Sequence, residues 1–361
     1  MPFSNFRVPA SASTFNVRVI DSISKIGVSM AGMVSHTIKG HSWLSCPAYV
    51  FLVEHPPTGR KVLFDLGVRK DFENLAPPIQ HWMKESGTTC SVEKDVREIL
   101  KEGGVEAGEI ESIIWSHWHW DHIGDPSRFP KSTSLIVGPG FKKILTPGYP
   151  TNPESPVLDS DFAGRELREL DFAESTIKVG SFPAIDYFGD GSFYILDAPG
   201  HTIGHVNARA RVTSGPDSFI LMGADTCHHS AEMRPSIYNP LPDSLSPHPF
   251  YPGSGIPCPG ALFKPILRDE DTKKPFYGVH RPGMILGDPD VAEQTVDRII
   301  DADGSGNTLV IIAHDNQLKD VVQTFPKYAN DFLKKGWTEQ GRWLFLKDFK
   351  EAMDGVHSEK L

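Results

Sequence analysis

Three imidazoles and a carboxylate stand within six positions in the run Ser116-His117-Trp118-His119-Trp120-Asp121-His122, directly after the apolar Ile113-Ile114-Trp115. At the exit of a buried strand each of these polar rings would need a hydrogen-bond partner, so packing is a poor reason for their density. Metal ligation is a better one. Zinc and its divalent neighbours take imidazole nitrogen and carboxylate oxygen, and one ring fills only one place in a four- or five-coordinate sphere. Distant ligands are therefore expected, and four other segments end an apolar run on a metal-competent side chain. They are Phe64-Asp65, Leu196 to His205 with His201 in a glycine-rich turn, Leu221 to Asp225, and Val310 to Asp315 with His314. Loops from distant parts of a chain meet where strands end at one edge of a sheet. Three histidines for one ion, and a mixed histidine and carboxylate set for a second, would there share a bridging carboxylate.

Other residues of the same types carry weaker signals. His228 and His229, just past Asp225, either line the site or face solvent. His36, His41, His55, His81, His280 and His357 have no metal spacing around them and are read as surface or satisfied interior groups. Asp301 to Asn307 imitates the start of a calcium loop, but the twelfth position is Ile312 where such a loop needs Glu, so it reads as a turn. No Gly-x-Ser-x-Gly elbow occurs and no cysteine has a convincing neighbouring base, so no covalent nucleophile is required. What two close cations support is attack by an ionised water on a carbonyl. Asp121 or Asp225 would then relay a proton to the leaving atom.

Strands must bring these ligands to one edge. Apolar and β-branched runs predict strands at 15–20, 48–53, 61–66 and 110–115, then at 134–137, 176–179, 184–188, 192–196, 206–212, 219–222 and 308–312. The spacing of Val92, Val96, Ile99 and Leu100 predicts a helix from Ser91 to Glu102, stopped by Gly103-Gly104. A second helix is expected over Asp290 to Ile300, capped near Asp288, with a broken helical piece at 323–335 and a closing helix at 341–353. Residues 68–89, with Pro77, Pro78 and Trp82, read as an irregular lid or packed loop, and 146–161 as a surface loop. From Ser230 to Pro282, prolines interleave with Tyr238, His248, Phe250, Tyr251, Phe263, Phe276 and Tyr277. That aromatic content predicts an ordered insertion, and its place in the chain makes it the expected substrate wall.

Composition bounds the rest. Of 361 residues 39% are hydrophobic and 23% charged, with 32 Gly and 30 Pro, which suits a soluble, turn-rich fold with one core. A formal charge of -10 is mild and argues against nucleic acid or an anionic membrane as the main partner; it does not choose a substrate, for which a small molecule is the expectation. Cys46, Cys90, Cys227 and Cys258 form no CxxC pair, and neither a signal peptide nor a run of ~18 apolar residues is present. Reduced thiols in a cytoplasmic protein are the expectation. The ending Glu359-Lys360-Leu361 is a poor match to a peroxisomal signal because Glu stands first.

In its ligand pattern the chain resembles the metallo-β-lactamase-fold hydrolase superfamily. The signature His-x-His-x-Asp-His matches His117, His119, Asp121 and His122; Gly-His-Thr matches Gly200-His201-Thr202; the bridging aspartate matches Asp225 and the last histidine His314. The resemblance implies an α/β fold, an αββα sandwich of two mixed sheets flanked by helices, as one domain over 1–361 with the insertion at about 230–282. It also implies two divalent metal ions, zinc foremost. His117, His119 and His201 would hold one, Asp121, His122 and His314 the other, with Asp225 and a hydroxide between them. Asp65 would orient a ligand, and His205 would be structural.

The branch containing N-acyl-homoserine lactonases and related lactone or lactam hydrolases looks most similar, which implies opening of a cyclic ester or amide. Those lactonases carry Tyr three residues past the bridging aspartate, where this chain has His228. Either His228 or Tyr238 would supply that hydrogen bond, and the aromatic insertion suggests an aromatic-fused ring. A glyoxalase II-like thioesterase shares the ligands but has a basic glutathione-binding tail, whereas 347–361 is of mixed charge. A nuclease would want a basic surface. A non-enzymatic redox module on the same fold would need a flavodoxin-like domain, for which the chain after His314 has no room.

Overall fold

Side chains alternate in direction along a strand, and in this chain both directions are apolar, so each central strand buries two faces. The structure, a computed structural model, describes residues 4, 6–22, 24–281 and 284–358. One sheet holds β1 (Asn16–Asp21), β2 (Tyr49–His55), β3 (Arg60–Phe64), β4 (Ile110–Ile114), β5 (Ser134–Val137) and β6 (Leu167–Glu169), side by side in that order. The other holds β7 (Lys178–Val179), β8 (Phe182–Asp186), β9 (Phe193–Asp197), β10 (Val206–Ser214), β11 (Asp217–Ala224) and β12 (Thr308–Ile312), again in order. The first sheet is antiparallel up to β3 and parallel from β3 to β6. The second is antiparallel up to β11, and β12 lies parallel to it. Both sheets are mixed, as the αββα expectation requires.

The two sheets pack face to face. Val62 and Phe64 of β3 share a buried cluster with Met222 of β11 and Ile311 of β12. The intervening Leu63 points the other way, into a cluster with Ile79, Met83 and Leu100 on α1 (Pro77–Ser86) and α2 (Val96–Glu102). Behind the second sheet, Val310 and Ile312 meet Ala292, Val296 and Ile299 of α3 (Pro289–Asp303). Each such fully buried aliphatic side chain contributes roughly 1.5–3 kcal/mol, so the layer order is fixed by many moderate terms.

Several local expectations need correction. Residues 77–86 are a regular helix, because Pro77 and Pro78 occupy its first turn, where no N–H is needed, and Gly87 closes it at φ 69°. The helix expected from Ser91 begins at Val96, where Asp95 and Glu98 form a capping box, while Thr89–Val92 is a strand paired with Ser24–Ser29. That strand and Trp43–Cys46 flank Ser24–Ser29 in a separate three-stranded sheet. Within 323–335 only Phe332–Lys335 is helical, and the closing helix is divided among Trp337–Gly341, a 3-10 stretch Leu344–Phe349, and Lys350–Ser358. The ending at Glu359 to Leu361 lies outside the described residues. Among the described residues no helix is long and apolar enough to cross a membrane.

Strand direction places the candidate ligands. β3 and β4 are parallel, so Asp65 and the run from Ser116 leave the first sheet at one edge. β9, β11 and β12 also run one way, so His201, Asp225 and His314 leave the second sheet together. Val206 N donates to Ser116 O (2.8 Å) and Tyr49 N to Ala313 O (3.0 Å), which joins the two edges.

Candidate metal centre

After Ser116 the chain turns at once into a one-turn helix, Trp120–Ile123, which divides the cluster into two sets. Donor atoms of His117, His119, His201 and Asp225 lie within 4.8 Å of one another, as do those of Asp121, His122 and His314. Asp225 faces both. Its Oδ2 is 3.8 Å from His117 Nε2 and 3.6 Å from His201 Nε2, its Oδ1 is 3.1 Å from His122 Nε2, and His314 Nε2 lies 3.2 Å from Oδ1 and 3.3 Å from Oδ2. Asp121 Oδ2 stands 3.9 Å from His122 Nε2 and 3.5 Å from His314 Nε2. These are the seven residues that the ligand pattern singles out, in the same two sets.

A ring nitrogen is free to ligate when its partner nitrogen is already engaged. His122 Nδ1 lies 2.9 Å from Asp65 Oδ2, and the same carboxylate accepts from Ser116 N (2.6 Å) and Ser116 Oγ (2.8 Å). Asp65 reaches them from a left-handed backbone at φ 65°, an uncommon conformation for a side-chain-bearing residue. His314 Nδ1 donates to Pro47 O at 2.8 Å, and His117 Nδ1 is 3.0 Å from Ser116 Oγ. His205 is structural, as expected: Nδ1 donates to Ala198 O (2.7 Å) and Nε2 accepts from Asp225 N (3.2 Å). The His201 turn is clamped by α3. Gly200 sits at φ 125° with the backbone of Ala292 so near that a Cβ would come within 2.2 Å of its nitrogen, and Thr295 Oγ1 donates to Pro199 O at 2.6 Å.

The donors fit divalent cations. Among the described residues, His117 Nε2, His122 Nε2 and Asp225 Oδ1 are buried without a hydrogen-bond partner, a cost that a bound cation removes. Burial drives His117 and His201 well below the usual imidazole range and His119 to about 3, so these rings are neutral, the form that ligates. Burial also opposes charge on His122 and His314, but the Asp225 carboxylate outweighs it and holds both well above that range. Burial would likewise raise Asp225, yet His122 and His314 hold it far below the carboxylate range. The pocket thus demands positive charge, which the two rings supply by protonation and divalent ions would supply directly.

Of the flanking residues left open above, His228 lies at the site, with Nε2 3.6 Å from Asp225 Oδ2. His229 neither lines the site nor faces solvent: it is buried, with Nε2 3.2 Å from Asp348 Oδ2 and Nδ1 accepting from Ala231 N. Tyr238 does not reach the centre, because its hydroxyl donates to Asp301 near the far end of α3. The insertion is ordered but is not an aromatic wall. Phe263, Phe276 and Tyr277 are fully buried and pack with Phe345 and Phe349 outside the first sheet. Instead, Val279, His280, Met284 and Glu232 line a small cavity with His201, Asp225 and His228. Sequence reasoning missed these, since no periodicity marks a residue whose only role is to face a loop 50 positions away. Ser116 stood inside the run, but only the Asp65 contact gives it a part.

Residues 44–211 match the family model described as the metallo-beta-lactamase superfamily. The chain is also 41% identical over 354 residues to Gamma-lactamase FDB1 of Fusarium pseudograminearum, covering 95% of this chain and 84% of that protein. The chain belongs to the metallo-beta-lactamase superfamily. Within the superfamily it is 44% identical over 357 residues to Metallo-hydrolase mfmC of Annulohypoxylon moriforme, covering 98% of this chain and 92% of that one. A solved structure, that of an N-acyl homoserine lactone hydrolase with the product N-hexanoyl-L-homoserine bound at its catalytic metal centre, superposes with a TM-score of 0.59 at 15% identity, covering 88% of this chain and 99% of that one. At that identity the likeness concerns the fold. The family model stops before Asp225 and His314, and it is the sheet geometry that brings those two to the others.

Proposed function

We propose that this metal-dependent hydrolase opens a cyclic amide or ester, with a γ-lactam or the corresponding lactone as substrate class, at two divalent ions, zinc foremost. The observation that carries the reading is Asp225, whose carboxylate faces nitrogens of both donor sets, with unpartnered buried nitrogens aimed at it. The ring class is supported by relatives named gamma-lactamase. Four free cysteines suit a reducing, cytoplasmic setting, and we read the whole chain as one domain.

His117, His119, His201 and Asp225 would hold one ion, and Asp121, His122, His314 and Asp225 the other. When bound, the pair lowers the pKa of water toward neutrality and polarises the substrate carbonyl. The remaining work falls to side chains. Asp121 is more open than Asp225, with 12% of its side chain exposed against 4%, and is the carboxylate suited to passing a proton to the leaving atom. His228 presents Nε2 beside Asp225 and donates a hydrogen bond to the substrate. Met284, with Ile285 and Leu286 exposed at 50% and 47%, gives the apolar lip against which the substrate body lies. With Phe263, Phe276 and Tyr277 packed in the core and Tyr238 held by Asp301, an aromatic-fused ring has no special claim.

Metal analysis combined with a panel of γ-lactams, γ-lactones and a glutathione thioester tests this. Turnover of a cyclic substrate that disappears on chelation and returns with zinc is expected. Turnover confined to the thioester, or undiminished after complete metal removal, would overturn it.

A further inference from the structure

Thr202, the neighbour of the candidate ligand His201, ties together three parts of the chain. Its Oγ1 accepts from Trp118 Nε1 (2.9 Å) in the histidine run and donates to Ile285 O (2.9 Å). Gly287 lies so close to the same turn that a Cβ would come within 2.4 Å of His201 O, and Asp288 N donates to Gly200 O at 2.8 Å. Residues 285–288 are thus laced to the backbone of the His201 turn and cannot sink into the core. Met284 turns inward, against the cluster of Ala292 and Val296 and into the small cavity with His201 and His228. Ile285 and Leu286 are left outside, at 50% and 47% exposure, and Leu286 has a left-handed backbone at φ 55°. A lone exposed aliphatic side chain is ordinary. Two in succession beside a candidate metal centre, one of them in a conformation that favours glycine, are not, and uncommon backbone of this kind gathers where ligands are met.

We infer that Ile285 and Leu286 are specificity-determining residues, a ledge that selects rings carrying an uncharged apolar substituent over bare ones. The ledge offers that substituent no charge. None of Met284 to Gly287 is ionisable, and Arg281, the preceding basic residue, is turned to Asp290 and Glu293 of α3 (2.7 and 2.6 Å). Its contribution is therefore the apolar area it removes from water, which grows with the length of the substituent. The inference deepens the proposed function and rests on it for the ring, not for the substituent.

The test compares γ-decalactone with γ-butyrolactone, which share the ring and differ by a hexyl chain, in the zinc-loaded full chain. In wild type kcat/KM should favour the longer by roughly tenfold or more, and in I285S/L286G that preference should shrink to within about twofold. Partial loss of metal or of fold lowers both substrates together, so the ratio reads the ledge. Glycine suits the backbone of residue 286, and I285V/L286M, still apolar, should keep the preference. An equal ratio in wild type and I285S/L286G would overturn the inference, as would a wild type indifferent to the chain. Octanohydroxamate and acetohydroxamate give a second reading, because their head groups bind zinc whatever reaction the centre performs. Calorimetry should find the longer hydroxamate tighter by a similar factor in wild type and not in I285S/L286G. If that hydroxamate difference is found while no cyclic substrate turns over, the proposed function fails and the ledge stands. If lactones turn over and the hydroxamate difference is missing, the ledge alone fails.

Discussion

Asp65 works through other residues. Its carboxylate holds Ser116 and the Nδ1 side of His122, and with them the first turn of the ligand run. Asp65→Ala should leave the seven donors in the chain yet weaken metal binding about 10–100-fold, read by titration against a competing chelator. Unchanged affinity would deny that this contact sets the ring. Asp161 is a different case: buried, with Oδ1 unpartnered, its carboxyl is pushed up to about 7 by desolvation. The unfolded chain ionises it near pH 4 and the folded chain only near 7, so stability falls as pH rises through that window and levels off above it. Asp161→Asn should therefore raise the melting temperature at pH 8, by at most on the order of 4 kcal/mol of stability, with the gain vanishing near pH 4. At this scale the gathering of the candidate donors was legible because imidazoles so closely spaced have few other uses. His228 and His229 were not, since neighbours in sequence point to opposite sides and only the turn that follows decides which enters the site.

Strands were legible as elements because their apolar runs are short and bounded by turn residues. α1 was not, because two adjacent prolines suggest a break, whereas Pro77 and Pro78 stand at the first turn and start the helix. The composition of the insertion suggests a wall, but Phe263, Phe276 and Tyr277 lie in the core, where burying each gains more than an exposed wall would. A polar contact fixes the insertion to the sandwich as well. Arg234 donates to Asp303 at the end of α3 through Nε (3.0 Å) and Nη2 (2.5 Å), and Asn239 Nδ2 donates to the same carboxylate at 3.0 Å. Both members of the pair are buried, so Asp303→Asn leaves a charge unmatched. Urea unfolding should report a loss of roughly 3–5 kcal/mol, much of it recovered when Arg234 is also made Met.

For the molecule as a whole, the donors come from both sheets: His117, His119, Asp121 and His122 follow β4, while His201, Asp225 and His314 follow β9, β11 and β12. A bound ion is thus a link between the two halves of the sandwich. Each site filled at 100 times its dissociation constant adds about 2.7 kcal/mol to folding, so chelation should lower the melting temperature and zinc should restore it in a concentration-dependent way. A melting curve indifferent to chelator would contradict a centre spanning the sheets.

The carboxylate of Asp225 faces both donor sets. The first ion to arrive would freeze that side chain in the pose the second requires, and so lighten the ordering cost of the next arrival. Native mass spectra along a zinc titration should then be dominated by chains carrying none or two, with the singly charged-up intermediate scarce. Asp225→Ala should abolish that all-or-none filling along with the affinity.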